Sequence, residues 1–369
     1  MSLFLRPPSA SDLVPIAVVS SVYGLGAQLF SIFGSSDGLG ATLLVRCLDS
    51  SHPLRRATTY DIGIEPLDHL WCIVTNFVKG FTETPLSAAL FVLAYSAALQ
   101  SWTYFGLYAS LSQPGATSRW WIRGSGLTLL MILSQIVGFQ GILMSFWIPI
   151  YALTPDVKPP SAGQGVVFES GTSRNVNLVA LFCSILGTII FLFNPEGGAY
   201  RRSQIFFQLY VLGYPLALLV GRISKPAKKP AGKRSATSSA FLALAWVSTL
   251  SWWLGLAACL FQPVDFAPSS QPIWNPGLTS YFTTSSYRLL SPADLAHSKL
   301  SAGEIFSILE VVSMSFAYYL IKRVDLIKSG RTEVDGPSYW RNLLLGGPGN
   351  AFARWIAFQT SLEGERKQL

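Results

Sequence analysis

The feature that most constrains this chain is the recurrence of long apolar stretches, each close to the length that crosses a lipid bilayer. A spanning helix needs about 20 mostly apolar residues. Half of the chain is apolar and only 12% is charged, whereas a soluble domain carries about 25% charged residues. We therefore predict an all-α, polytopic transmembrane helical bundle, and soluble enzyme classes are excluded. The stretches are Leu13–Phe33, Ser87–Leu111, Ser125–Ala152, Val176–Phe193, Gln204–Gly221, Ser239–Phe261 and Ala302–Ile321.

A shorter stretch, Glu65–Phe81, begins with polar residues. Pro66 suits the first turn of a helix, and Asp68 suits the positive end of the helix dipole. We predict that it is an additional span, which gives a bundle of about eight spans over residues 1–321. The remainder, 322–369, is predicted to be a cytoplasmic tail. Within it, the mixture of aromatic and charged residues over Asn350–Thr360 predicts a helix that lies in the membrane interface.

The distribution of basic residues predicts the orientation. Six Lys or Arg residues fall in 222–236 and eight follow Ile321, whereas 262–301 has only Arg288 and Lys299. The positive-inside rule places the first two segments in the cytoplasm. With eight spans, both termini are cytoplasmic, and we expect a multi-pass protein of the endoplasmic reticulum. The net charge of +8 then indicates contact with membrane lipid rather than nucleic acid.

Carboxyl groups are concentrated on two of the predicted spans, the second and the eighth. Ionisable groups within a bilayer are costly, so each one is a candidate functional residue. Two even-numbered spans run in the same direction, and their acidic starts therefore share one side of the membrane. The candidates are Asp61, Glu65, Asp68 and His69 around the second span, and Glu304 and Glu310 on the eighth.

Glu310 is the deepest of these groups, about 12 Å inside a helix that begins at Ala302. Its neighbours Leu309 and Val311 are apolar, and burial favours the neutral, protonated carboxyl. We predict that Glu310 is a catalytic acid and that Asp68 assists it, together with Asp61, Glu65 or His69. The structural alternatives are an interhelical hydrogen bond for Glu310, solvated helix-end charges for Glu65 and Glu304, and a packing role for His69.

Aromatic and amide side chains within the apolar stretches could line a substrate cavity. Aromatic residues near span ends commonly form interfacial belts, and amides commonly form interhelical hydrogen bonds. The aromatic residues that lie well inside their stretches fit the belt less easily. We therefore predict substrate-binding roles for Trp102, Tyr104, Asn76, Trp253 and Glu304.

Several kinds of site are missing from the sequence. It has no Asp-rich pair for magnesium diphosphate, no metal-ligand spacing, no P-loop and no nucleophile elbow. We therefore expect no metal and no cofactor. The four cysteines show no CxxC spacing, and we interpret them as packing residues. They are Cys47, Cys72, Cys183 and Cys259.

Together these features resemble the fungal integral-membrane terpene cyclases of meroterpenoid biosynthesis, of the macrophorin, ascochlorin and ascofuranone type. The resemblance rests on the span-rich plan, on Tyr60-Asp61-x-Gly63-x-x-Pro66-Leu67-Asp68, on Glu310, and on Gly141 with Pro149-x-Tyr151. It implies a metal-independent enzyme of isomerase or lyase type. Such an enzyme protonates the epoxide or olefin of a lipid-soluble, farnesylated substrate and guides the cyclisation of the resulting carbocation.

Two other interpretations of the same residues remain open. A proton-coupled transporter of a small hydrophobic solute would use the buried acids as a relay. A structural membrane protein would use them only for interhelical hydrogen bonds.

Overall fold

The described part of the chain is helical almost throughout, as predicted for an all-α protein. In it, three helices are long and apolar enough to cross a membrane, over Ala10–Ser31, Phe241–Leu260 and Gly303–Ser329. The predicted spans Val176–Phe193 and Gln204–Gly221 lie outside the described residues. The computed structural model describes residues 9–33, 45–49, 51, 63–80, 86–94, 97–98, 129–130, 133–134, 138–154, 236–263, 287–289, 291, 300–331 and 337–361.

These residues form six helices with the bounds given below, several shorter helical stretches and one two-stranded ribbon. The ribbon pairs β1, Phe261–Pro263, with β2, Tyr287–Leu289, in antiparallel register at the base of the predicted 262–301 loop. Nothing in the sequence pattern predicted this pairing. The helices are α1 Leu13–Phe33, α2 Glu65–Gly80, α3 Phe139–Leu153, α4 Ala236–Leu260, α5 Ala302–Ser329 and α6 Tyr339–Ser361.

Helix α5 is the central helix, and α1, α3 and α6 pack against it. A capping box fixes its start: Ser301 Oγ accepts from the Glu304 N–H, and Glu304 accepts from the Ser301 N–H. Gly330, at φ 64°, ends it in the left-handed conformation typical of helix C-termini. The helix therefore continues past Ile321, the predicted end of the last span. Its two ends are named below as the Glu304 end and the Asp325 end of the bundle.

Side-chain contacts give the direction of the neighbouring helices. Helix α1 is antiparallel to α5, because Asp12 pairs with Arg323 at the Asp325 end. Helix α3 is parallel to α5, the direction expected of a fourth and an eighth span, because Gln140 meets Glu310 and Tyr151 meets Asp325.

The helical residues 86–94 and 97–98 are also parallel to α5. Ser87 Oγ donates to Glu304 over 3.1 Å, and the Tyr318 hydroxyl donates to the Ala97 carbonyl. Helix α1 thus finishes, and residue 86 begins, at the same Glu304 end. The eight-span arrangement has the third span antiparallel to the eighth, whereas these contacts place the described residues of the third stretch parallel to α5.

Helix α2, the predicted second span, is described over 16 residues. Its first turn, with Glu65 and Leu67, is exposed, whereas Asp68 and Cys72 are buried. The helix begins at Glu65 with Pro66 and Asp68 in its first turn, as the helix-start signature predicts. That signature does not distinguish a span from a surface helix.

A disulfide joins Cys47 to Cys72, with their Cα atoms 5.7 Å apart. The sequence interpretation of these two cysteines as packing residues is therefore wrong. The segment between Phe33 and Val45 is too short for a further span. Cys47, and with it α2, consequently lies at the Glu304 end, where α1 finishes.

Helix α6 is a hairpin whose turn is at Gly347. This residue has φ 77° and ψ 176°, and a Cβ there would come within 2.5 Å of Trp252. The second half returns antiparallel to α4, because Trp253 donates to Leu345 O over 2.9 Å near the turn. Farther along, Ser238 donates to Ala357 O over 2.9 Å.

The buried face of this second half differs from the interfacial helix predicted over Asn350–Thr360. Phe352, Trp355 and Ile356 are at most 1% exposed. Phe352 stacks on Tyr318 of α5, with the ring centroids 4.1 Å apart. These apolar side chains contact protein rather than lipid, and α6 is part of the bundle core.

Candidate active site

A break in the helical backbone at Gly138 positions the candidate site. Gly138 has φ 88°, a conformation that glycine adopts without strain. A Cβ here would lie 3.0 Å from Phe306 Cζ and 3.5 Å from a Glu310 oxygen, so glycine also permits the close approach of α5. After this residue α3 starts anew. Its first backbone N–H groups, which have no partner within their own helix, therefore face α5.

The Glu310 carboxyl lies against this new helix start. Glu310 is 4% exposed, and its two oxygens lie 3.3 and 3.4 Å from the Gln140 backbone nitrogen. These distances exceed the usual 2.9–3.0 Å for such a bond. The Phe139 backbone N–H is a further donor to the carboxyl. Within the described residues Glu310 therefore accepts from backbone groups at the start of α3 and from no side chain. Among the described residues, Glu310 has no cationic partner, and an unpaired charge in such a position is costly.

Three further buried polar side chains lie close in sequence to Glu310 on α5 or at the facing start of α3. Ser313 Oγ donates to Gln140 Oε1 over 2.6 Å and lies 3.3 Å from the Tyr23 hydroxyl of α1. Gln140 Nε2 and Ser307 Oγ are buried and have no hydrogen-bond partner within the part of the chain that the structure describes. Buried polar groups are normally paired. The neighbourhood of Glu310 thus contains two groups that a ligand could satisfy.

The next turns of α3 are π-helical, over Leu143–Trp147. Ser20 of α1 donates to the Met144 carbonyl over 2.5 Å, and Gly24 brings α1 so close that a Cβ would lie 2.7 Å from Met144 Cβ. Single π-helical turns are frequent at functional sites, because they redirect side chains within an otherwise regular helix. Here the π segment follows directly after the residues that contact Glu310.

Glu304 has a structural partner set of its own. One oxygen closes the capping box with Ser301, and the other accepts from Ser87. Glu304 is 6% exposed and lies near the start of α5, two turns before Glu310. These contacts give Glu304 a structural role at the start of α5, as a buried carboxyl rather than the solvated helix-end charge of the sequence alternative.

The predicted residues of α2 divide by exposure. The Glu65 side chain is 80% exposed, and its carboxylate lies 3.8 Å from His69 Nε2 one turn later. Asp68 is 2% exposed. Helix α2 contacts α5, so the bundle brings the helix that carries Asp68 next to the helix that carries Glu310.

Of the five predicted substrate-binding residues, the structure describes the side chains of Glu304 and Trp253. Trp253 is 53% exposed on the outer face of α4, and its indole N–H is engaged by Leu345 O. This contact gives Trp253 a role in packing α4 against α6. Asp61, Trp102 and Tyr104 lie outside the described residues, as does the side chain of Asn76 on α2.

A second buried polar cluster, at the Asp325 end, was not predicted. Asp325 accepts from the Tyr151 hydroxyl at 2.6 Å, from Trp355 Nε1 at 3.1 Å and from Gln359 Nε2 at 3.5 Å. Nearby, Arg323 pairs with Asp12 over 3.4 Å, and both side chains are at most 1% exposed. The available signal was Lys322-Arg323-x-Asp325 at the end of an apolar stretch, which resembles an ordinary cytoplasmic flank.

Comparisons with models of protein families, with curated proteins and with solved structures find no match for this chain. Its function is therefore argued from its own residues. Over the described ranges, no group of three or more His, Cys, Asp and Glu residues could hold a metal ion.

Proposed function

We propose that the protein is a membrane terpene cyclase in which Glu310 donates the proton that starts the reaction. The observation that carries this proposal is a buried carboxyl whose donors in the described residues are the backbone N–H groups of Gln140 and Phe139, with no cationic partner among those residues. Such a group is held neutral by the cost of an unpaired charge in the membrane. A neutral carboxyl can both donate a hydrogen bond to a substrate oxygen and transfer its proton.

The proposed substrate is a lipid-soluble farnesylated molecule with a terminal epoxide or olefin. The Glu310 proton moves to the epoxide oxygen as a carbon–oxygen bond breaks, which leaves an alcohol and a carbocation. Neighbouring olefins then close rings onto that cation. A basic group finally removes a proton from carbon, and Asp68, buried on the adjacent α2, is the proposed acceptor. Exclusion of water from the site protects the cation from early capture in the proposed reaction.

A Glu310→Gln variant tests the proposal. Glutamine keeps the shape and the hydrogen bond of the side chain but has no transferable proton. General acids typically contribute about 10²–10⁴-fold to rate, so turnover should fall by at least about 100-fold. Microsomes that contain the protein would be supplied with a farnesylated phenol and its terminal epoxide, and the products identified by mass spectrometry. Glu65→Gln is the comparison, because Glu65 is exposed, and it should lower turnover much less than Glu310→Gln does.

A Glu310→Gln protein that inserts normally and retains the wild-type rate would reject Glu310 as the acid. Activity that disappears in EDTA and returns with magnesium would reject the metal-independent mechanism as a whole.

One observation favours a second candidate, a proton-coupled transporter. Gln140, Ser313 and the Tyr23 hydroxyl continue from Glu310 towards α1 as a chain of polar contacts. Such a chain could carry protons. Proteoliposomes loaded with a pH-sensitive dye distinguish the two functions, because only a transporter would acidify the lumen when a hydrophobic solute is added.

We propose further that the Glu304 end faces the lumen of the endoplasmic reticulum. The Cys47–Cys72 disulfide lies at that end, and disulfides persist in oxidising compartments such as this lumen. The six basic residues of 222–236 directly precede α4 and favour a cytoplasmic start for this helix. Single cysteines at Ser235 and Ser285 should therefore react with a membrane-impermeant label from opposite sides, and labelling of both from one side would contradict this orientation.

A further inference from the structure

A cavity of about 350 Å³ lies between the start of α4 and the two arms of the α6 hairpin. Its polar wall consists of Arg341, Asn342 and Arg354 from α6 and Ser238 from α4, and its apolar wall includes Leu242 and Phe358. None of the described residues that line it is acidic. The cavity therefore combines two positive charges with neutral hydrogen-bond donors.

Arg354 is held in place by its neighbours. Its Nε donates to Asn350 Oδ1 over 2.8 Å, and its guanidinium lies 5.4 Å from the centre of the Trp246 ring. Asn350 in turn donates to the Asn342 carbonyl over 2.8 Å. Because only the Nε–H of Arg354 is used in these hydrogen bonds, the four N–H groups at the tip of the fork are left for a ligand.

Asn342 supplies the second, independent observation. It is 7% exposed, and its Nδ2 is buried with no hydrogen-bond partner in the described part of the chain. A buried donor without an acceptor is costly, and native proteins contain few of them. Asn342 lines the cavity together with the two arginines, so an acceptor oxygen of a bound molecule there would satisfy this donor.

We infer that this cavity binds a phosphate group, and that its occupant is the headgroup of an anionic lipid or a soluble phosphorylated molecule. The planar guanidinium fork matches phosphate oxygens with paired, charge-assisted hydrogen bonds. The apolar wall suits the carbon atoms next to a phosphodiester. The site lies at the start of α4, directly after the basic segment 222–236, and clusters of Lys and Arg beside a span favour anionic lipid. This inference is independent of the proposed cyclase activity.

The test measures the thermal unfolding of the purified full chain in neutral detergent with three probes: dioctanoyl phosphatidylglycerol, dioctanoyl phosphatidylcholine and sodium phosphate at matched ionic strength. Phosphatidylglycerol should raise Tm, and phosphatidylcholine, whose choline cation opposes the arginines, should not. Protection by sodium phosphate as well would identify a soluble phosphorylated molecule as the source, and protection by phosphatidylglycerol alone would identify lipid.

Three variants assign the effect to the cavity. Arg341→Gln and Arg354→Gln should each weaken the apparent affinity for the protecting probe at least about tenfold, since a charge-assisted hydrogen bond is lost. Asn342→Asp is nearly isosteric and places a negative charge against the phosphate, so it should abolish protection. Arg288→Gln, an exposed arginine on β2, is the matched control and should behave as wild type.

The inference is overturned if none of the probes protects the wild-type protein, or if phosphatidylcholine protects it as well as phosphatidylglycerol. It is also overturned if the arginine variants respond like Arg288→Gln. Arg341 is exposed, so its substitution should leave folding intact, and the result for this variant stands even if Arg354→Gln is unstable.

Discussion

Two buried carboxyl groups on α5, Glu310 and Asp325, have opposite surroundings. They lie about 22 Å apart along the helix. Asp325 accepts three side-chain hydrogen bonds, from Tyr151, Trp355 and Gln359. Glu310 accepts only from backbone N–H groups in the described residues, those of Gln140 and Phe139. Asp325 is 0% exposed and Glu310 is 4% exposed.

The difference shows that burial by itself does not identify a reactive group. A carboxyl whose acceptor sites are occupied by fixed donors is held in place, and its hydrogen bonds contribute to the stability of the fold. A carboxyl that accepts from no side chain, near unpartnered groups such as Gln140 Nε2 and Ser307 Oγ, is suited to binding and proton transfer instead. The predictions below separate these two roles.

The largest expected effect on stability is that of Asp325→Ala. It removes the shared acceptor of three buried donors, and breaking such a network costs about 3–5 kcal/mol. Thermal unfolding in detergent would measure the loss. Glu310→Gln should shift stability by less than about 1 kcal/mol, because glutamine keeps a carbonyl oxygen that can accept from the same backbone N–H groups. Equal losses for the two variants would remove the contrast between the carboxyls.

The Arg323–Asp12 pair gives the next largest effect. Arg323→Met leaves Asp12 buried without its cation, and removing one partner of a buried pair costs about 3 kcal/mol or more. The double variant Asp12→Asn with Arg323→Met should recover part of that loss, since no charge remains unpaired. Additive losses in the double variant would show that the two residues do not interact.

Gly138→Ala tests the geometry on the Glu310 side. Alanine at φ 88° is strained by about 1–3 kcal/mol, and its Cβ would press on Phe306 at 3.0 Å. We expect this moderate loss of stability together with a fall in turnover as the carboxyl is displaced. Gly330→Ala, also at positive φ but with open space around it, is the control: it should lose stability without losing turnover.

The smallest effect is expected for Ser313→Ala, which removes the hydrogen bond to Gln140 Oε1. The stability cost should be about 1 kcal/mol. Turnover should fall only a few-fold if Gln140 positions the carboxyl. A fall as large as that of Glu310→Gln would move the reactive group from the carboxyl to the hydroxyl chain.

Some of this arrangement could be predicted from the sequence. Helix α1 has the predicted bounds, because a continuous apolar run leaves little choice. The depth of Glu310 followed from counting residues into a helix. Its role as a contact of α3 could not be predicted, since nothing in the sequence shows that Gly138 adopts a positive φ.

The Asp325 cluster could not be predicted, because its partners are distant along the chain. Arg323 and Asp12 are separated by 311 residues, and charged residues at the end of an apolar run have the pattern of a cytoplasmic flank. The disulfide was missed for a similar reason, since Cys47 and Cys72 have no spacing that distinguishes a pair from two packing residues.

The Asp12–Arg323 pair also has a consequence for how the protein is made. Synthesis proceeds from the N-terminus, so α1 enters the membrane long before α5 exists. Until Arg323 is synthesised, Asp12 lacks this cationic partner and remains hydrated at the membrane surface. Helix α1 therefore has to be near the insertion site when α5 enters the membrane. The pair between Asp12 and Arg323, and with it the packing of α1 against this end of α5, forms only after α5 is inserted.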